Sequence, residues 1–166
     1  MEEAAAPGES ASALVRRLAR AKAEAIAVQQ PQAWVIGSDQ VAVLDPTGRQ
    51  SVLGKPGTDA RCQEQLRACS GRAVEFLTAV ALMRRESAEL IEFTDVTRVA
   101  FRILDEATIA RYVAKERPLD CAGGFKSEGL GIALCEAIDS ADPSALIGLP
   151  LIRLSAALRS AGFELP

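Results

Sequence analysis

The sequence predicts one domain of mixed α/β type, and three observations carry that expectation. Residues 33–44 are an almost unbroken apolar run rich in β-branched side chains, the pattern of a strand buried on both faces. Stretches with helical spacing alternate along the chain with stretches of strand character. No internal repeat or low-complexity linker divides the 166 residues, and with 49% of them hydrophobic the chain is long enough to bury a real core.

The elements follow in order. Residues 11–29 read as a helix rich in Ala, Leu, Arg and Glu, with an apolar stripe through Leu14, Leu18 and Ile26. Lys22 falls on that stripe, where it either snorkels to water or aims its ammonium into a site beside the next strand. After the strand at 33–44, Asp45-Pro46-Thr47-Gly48 is a turn and Gly54-Lys55-Pro56-Gly57 a rigid loop presenting one lysine. Thr58 is expected to cap a helix reaching about Cys69, with Gly71 past its end. Residues 74–82 and 90–103 read as two strands joined by a polar turn, the second alternating through Val99, Phe101 and Ile103. Asp105 is expected to cap a helix reaching Lys115. Residues 120–131 hold four glycines interleaved with Lys126 and Glu128, a backbone folded closely around something. Pro150 sits at the start of a last helix and Gly162 at its end.

Composition removes several chemistries. The chain has no histidine, so Ser-His-Asp and Cys-His machinery and His-ligated zinc are absent. Net charge is -3 with no basic block, which argues against a nucleic acid polymer as partner. Cys62, Cys69, Cys121 and Cys135 form no C-x-x-C pair and read as small hydrophobes in a reducing cytosol. No segment reaches membrane-spanning length and no signal peptide is seen, so a cytoplasmic protein is expected.

Ser38, Asp39 and Gln40 interrupt the apolar strand. A carboxylate there must be paired, bound to a metal or protonated, because an isolated buried charge is prohibitively costly. Asp39 is therefore the catalytic candidate, the alternative being a structural Asp that caps a nearby loop.

Five runs together resemble the Maf family of nucleoside triphosphate pyrophosphatases: Arg17-Leu18-Ala19-Arg20-Ala21-Lys22-Ala23, Gly37-Ser38-Asp39-Gln40-Val41, Gly54-Lys55-Pro56, Ala122-Gly123-Gly124-Phe125-Lys126-Ser127-Glu128-Gly129, and Gly148-Leu149-Pro150-Leu151. They stand in the family's order and spacing and cover essentially the whole chain, residues 1–166. The resemblance implies an elongated, twisted mixed sheet flanked by helices, as in inosine triphosphatases, with a cleft between two lobes. It also implies cleavage between the α- and β-phosphates of a nucleotide, and a homodimer. In family terms Asp39 is the proton acceptor, Glu3 matches an acidic position and would hold Mg²⁺ or another divalent cation with Asp39, and Lys22, Lys55 and Lys126 supply cations for the triphosphate. That set suits the chemistry, since phosphate charge repels an incoming nucleophile until cations offset it.

One departure stands out. Relatives open with a strand and an S-x-S-P-R-R motif whose serine and arginine bind phosphate, and this chain starts at Met1-Glu2-Glu3. The expectation is a misassigned start, with a longer natural protein; the competing account is a short and impaired chain.

The loop Phe125-Lys126-Ser127-Glu128-Gly129 resembles the branch acting on 7-methyl-GTP, whereas the thymidine/uridine triphosphate branch carries an Ile-Gln-Gly-like sequence there. N7-methylated guanine is cationic and presents N1–H and N2–H donors, which favour the Glu128 carboxylate. Gln40 matches another specificity position. Read from the residues alone, Glu128 would instead pair with Lys126 on a solvated loop. Phe125 is the aromatic candidate for stacking on the base. The resemblance thus implies a pyrophosphatase converting 7-methyl-GTP to 7-methyl-GMP and pyrophosphate. The alternatives are a hydrolase of dTTP, UTP or noncanonical nucleotides and a non-catalytic nucleotide-binding or septation-related protein.

Overall fold

The computed structural model describes residues 5–45 and 51–166. The elements run α1 (Ala11–Ala27), β1 (Val35–Leu44), β2 (Ser51–Leu53), α2 (Asp59–Cys69), β3 (Ala73–Arg84), β4 (Glu89–Phe101), α3 (Glu106–Glu116), β5 (Cys135–Ser140) and α4 (Leu151–Ser160). The strands form one five-stranded sheet in the order β2-β1-β3-β4-β5. β1 meets β2 antiparallel, with Val43 opposite Val52, and β4 meets β5 antiparallel, with Val99 opposite Ile138. The α/β class expected from the sequence is the class observed. The chain divides into two compact units, one of Met1–Gln40, Leu77–Val96 and Ala141–Pro166, the other of Val41–Phe76 and Thr97–Ser140.

In the first unit, the Ser10 side chain accepts the Ala13 N–H and starts α1. The buried face of α1 is Leu14, Val15, Leu18, Ala19, Ala23 and Ala27. Ile26, expected on that face, is 51% exposed. The reason is the small-residue contact made by Gly37 of β1: a Cβ there would lie 2.2 Å from the Ala19 carbonyl oxygen. Alanines and a glycine let the two backbones meet, and that contact rotates the helix away from the stripe drawn by side-chain size. Each fully buried Leu or Val here contributes about 1.5–3 kcal/mol. A second cluster joins Val80, Leu82, Phe93, Leu154 and Ala157, with Trp34 packed against it. The buried Asp142 carboxylate caps α4, accepting the Ser144 N–H at 3.1 Å and the Ile152 N–H at 2.7 Å.

In the second unit, Thr58 and Asp105 cap α2 and α3 as expected, through the N–H groups of Arg61 and Thr108. Gly71 here, and Gly162 in the first unit, follow their helices with φ of 67° and 92°. Three sequence expectations need correction. β1 is not buried on both faces throughout, since Ile36 is 43% exposed and the continuous buried run begins at Val41. Ile103 is 82% exposed because β4 ends at Phe101. β5 was not anticipated: Cys135–Ser140 is short, polar and largely exposed, and it pairs on one side only, so it lacks the apolar alternation that marks a buried strand. The turn expected at residues 45–48 lies, after Asp45, outside the described residues.

Candidate functional site

The first unit holds Lys22, Asp39 and Gln40. Lys22 projects from α1 and its ammonium ion-pairs with the Asp39 carboxylate on β1. The Asp39 side chain is 11% exposed and that of Lys22 34%, so the pair sits at a surface with the carboxylate on the inner side. Of the two readings of Lys22, the structure shows the head group directed at Asp39 on the next strand, with the side chain 34% exposed. The backbone contact at Gly37, two residues before Asp39, sets the spacing between helix and strand.

The two polar neighbours of Asp39 fasten backbone. The Ser38 hydroxyl lies 3.0 Å from the Ala79 carbonyl and 2.7 Å from that of Gly148. The Gln40 amide nitrogen donates within reach of Thr78 Oγ1 (2.9 Å) and of the Ala145 and Leu146 carbonyls (3.1 and 3.2 Å). These bonds hold the turn at residues 145–147 against β1 and β3. Glu3, the other expected metal ligand, lies outside the described residues. Among the described residues no group of three or more potential metal-ligating His, Cys, Asp or Glu side chains is present.

The second unit holds Lys55, Lys126 and Glu128. Lys55 is exposed on a loop tied to the glycine-rich segment, for the Gly123 N–H donates to the Gly54 carbonyl at 3.2 Å and the Gly57 N–H to the Leu119 carbonyl at 2.9 Å. Gly123 and Gly124 have φ of 65° and 62°, and a Cβ on Gly124 would lie 2.5 Å from Cys62 Sγ. The glycines thus fold around the protein's own groups. Phe125 points inward: it is 5% exposed, with ring centroids 5.5 Å from Phe76 and 5.1 Å from Phe101. The expectation that it stacks on a base is corrected, because its ring completes this aromatic core.

Lys126 pairs with Glu116 of α3, Nζ to Oε1 at 3.2 Å, rather than with Glu128. The other Glu116 oxygen accepts the Leu130 N–H at 2.7 Å. The Leu130 N–H, followed by Lys126, holds the Glu116 carboxyl below its ordinary value, while Glu116 raises the Lys126 ammonium. The Tyr112 hydroxyl accepts the Lys126 N–H at 3.0 Å. Glu128 is exposed at the tip of this loop, where the Ser127 hydroxyl reaches its carboxylate at 3.5 Å.

The family profile described as Maf-like protein matches residues 1–161. The chain belongs to the Maf family. It is 55% identical to a protein of Xanthomonas oryzae pv. oryzae over all of this chain and 84% of that one. It is 53% identical to one of Alkalilimnicola ehrlichii, over 99% of this chain and 81% of the other. A Pseudomonas aeruginosa protein is 51% identical over all of this chain and 84% of its own length. Each of the three is named 7-methyl-GTP pyrophosphatase.

Within this Maf chain the candidate residues fall into two groups, Lys22–Asp39–Gln40 in one unit and Lys55–Lys126–Glu128 in the other. Tyr112 and Glu116 were not found from sequence. The available signal was their i, i+4 spacing, which puts the single tyrosine and an acid on one face of α3. All four cysteines are unpaired, and burial raises each thiol, Cys69 furthest, to about 12. Among the described residues no helix is long and apolar enough to cross a membrane.

Proposed function

We propose that this protein hydrolyses 7-methyl-GTP to 7-methyl-GMP and pyrophosphate. The observation that carries the reading is identity of 51–55% over nearly the whole chain to proteins named for that activity. The chemistry of the residues supports it. Glu128 offers an exposed carboxylate on a braced loop, suited to a cationic purine with two N–H donors. Lys55 and Lys126 stand on two hydrogen-bonded segments of one unit, and in this reading their ammonium groups neutralise phosphate oxygens. Asp39 accepts the proton of the attacking water, and the Lys22 ammonium beside it keeps a cation next to that oxygen.

A divalent cation, Mg²⁺ in the first instance, belongs to this reading. Asp39 would give it one protein oxygen, with phosphates and water completing the shell, as Mg²⁺ is commonly held at nucleotides. Bound there, the cation would offset phosphate charge at the scissile bond. A cytoplasmic homodimer is part of the same proposal, with the unpaired thiols suited to a reducing compartment.

Pyrophosphate release measured over a nucleotide panel with Mg²⁺ tests the reading. 7-Methyl-GTP is expected to give the highest kcat/KM, and Glu128→Gln to lower its ratio to UTP by up to roughly a hundredfold. A preference of the unaltered protein for UTP or dTTP would overturn the assignment. Nucleotide binding without pyrophosphate release would overturn the enzyme altogether.

A further inference from the structure

We propose that Glu116 is a positioning residue for nucleobase selection, holding the loop from Lys126 to Leu130 in the one shape that presents Glu128. The inference rests on the reading above, in which Lys126 and Glu128 meet the nucleotide.

Each oxygen of the Glu116 carboxylate holds a different end of the loop: Oε1 takes the Lys126 ammonium at 3.2 Å and Oε2 the Leu130 N–H at 2.7 Å. Between those ends the loop closes on itself, since the Lys126 carbonyl accepts the Gly129 N–H at 3.3 Å and the Gly131 N–H at 3.1 Å. Tyr112, one helical turn before Glu116, accepts the Lys126 N–H. There is no slack around the carboxylate: a Cβ on Gly129 would stand 2.5 Å from Glu116 Oε2. Ser127 and Glu128 are left outside this ring of contacts, with Glu128 exposed at the tip and the Ser127 hydroxyl reaching its carboxylate.

Local preference argues against an acid at this place. Glu116 is the last residue of α3, where the helix dipole disfavours negative charge. Arg117, next in the chain, has φ of 49°, a left-handed conformation that non-glycine residues seldom adopt. Two adjacent departures from local rules mark a position whose purpose lies in what it holds, rather than in the helix it ends.

The test compares Glu116→Ala, Glu116→Gln and Glu128→Gln by steady-state kinetics on 7-methyl-GTP and UTP, with Tm for each. Glu116→Ala is expected to raise KM for 7-methyl-GTP about tenfold, with a smaller change in kcat, and to reduce selectivity over UTP. Glu116→Gln, whose amide oxygen still accepts the Leu130 N–H, is expected to restore most of that selectivity. A role in stability alone would lower Tm and depress both nucleotides equally, leaving the ratio unchanged, and that result overturns the proposal. If Glu128→Gln moves the ratio and neither Glu116 variant does, this inference fails while the assignment of Glu128 stands. If Glu128→Gln itself moves nothing, base selection by this loop is wrong and the inference falls with it.

Discussion

The Lys22 ammonium and the Asp39 carboxylate are ion-paired between α1 and β1, with the helix–strand distance set by a glycine that leaves no space for a methyl group. The pair is less than half exposed, with the carboxylate the more buried of the two partners.

Asp39→Asn is expected to lower kcat for 7-methyl-GTP by about 10²–10⁴-fold, the usual contribution of a positioned general base. The amide is nearly isosteric but cannot take the proton of water. Lys22 is 34% exposed, so losing its partner does not strand a deeply buried charge, and Tm should change little. Near-normal kcat in this variant would remove Asp39 from the mechanism.

Lys55→Ala and Lys126→Ala should each weaken kcat/KM for every nucleotide by about 1.5–3 kcal/mol, the range for hydrogen bonds to charged groups. A phosphate contact is blind to the base, so the selectivity ratio should hold for Lys55→Ala. A deficit confined to one nucleotide would assign that lysine to base reading.

Asp142→Asn should destabilise the fold by about 1–3 kcal/mol at neutral pH, because an amide cannot satisfy both sets of N–H groups that the carboxylate accepts. Burial pushes the Asp142 carboxyl upward, but bonds from Ser144, Ile152 and Arg153 outweigh it and the net shift is downward. A lowered folded-state value means stability that is present above the ordinary value of 3.8 and lost as pH falls through the folded one. Chemical denaturation at several pH values should therefore show the two proteins converging in acid.

Asp95→Asn should do the reverse. Asp95 is 5% exposed and its Oδ1 has no hydrogen-bond partner. Burial and the Asp142 charge raise its carboxyl, against Arg153 and the Val96 N–H, which lower it. A raised folded-state value means that its contribution is favourable below 3.8 and lost as pH rises through the folded value. The variant is expected to be more stable by about 1–3 kcal/mol near neutrality, and the gain should shrink towards pH 4. A loss of stability at neutral pH would show that the ionised Asp95 is satisfied in solution.

What was legible in the sequence was chemistry carried by neighbours along the chain. Thr58 and Asp105 announce helix starts through their own side chains, and Gly71 and Gly162 announce ends through a conformation others resist. Asp39 stands out in the sequence because it contradicts its surroundings, and the structure pairs it with Lys22. The rest depended on contacts between distant segments. The orientation of α1 follows from Gly37 meeting Ala19 rather than from the size of Ile26. The sequence leaves Phe125 free to face a ligand, whereas its ring packs against Phe76 and Phe101, both distant along the chain. Lys126 and Glu128 are two residues apart, yet the lysine is held by Glu116, ten positions away across a turn. Gln40, expected only as a specificity position, directs its amide nitrogen at Thr78 Oγ1 and at backbone carbonyls more than a hundred positions away.

The chain contains one tryptophan and one tyrosine, and they fall in different units. Trp34 packs against the Val80, Leu82, Phe93, Leu154 and Ala157 cluster, so its emission colour follows the melting of that core. Tyr112 has its hydroxyl fastened to Lys126, and burial raises its ionisation above the ordinary value. Its phenolate absorbance in alkali is therefore a gauge of whether the Lys126 loop is still clasped. The protein comes with two built-in optical reporters, one for each half of its candidate chemistry, and needs no dye or label for either to be followed.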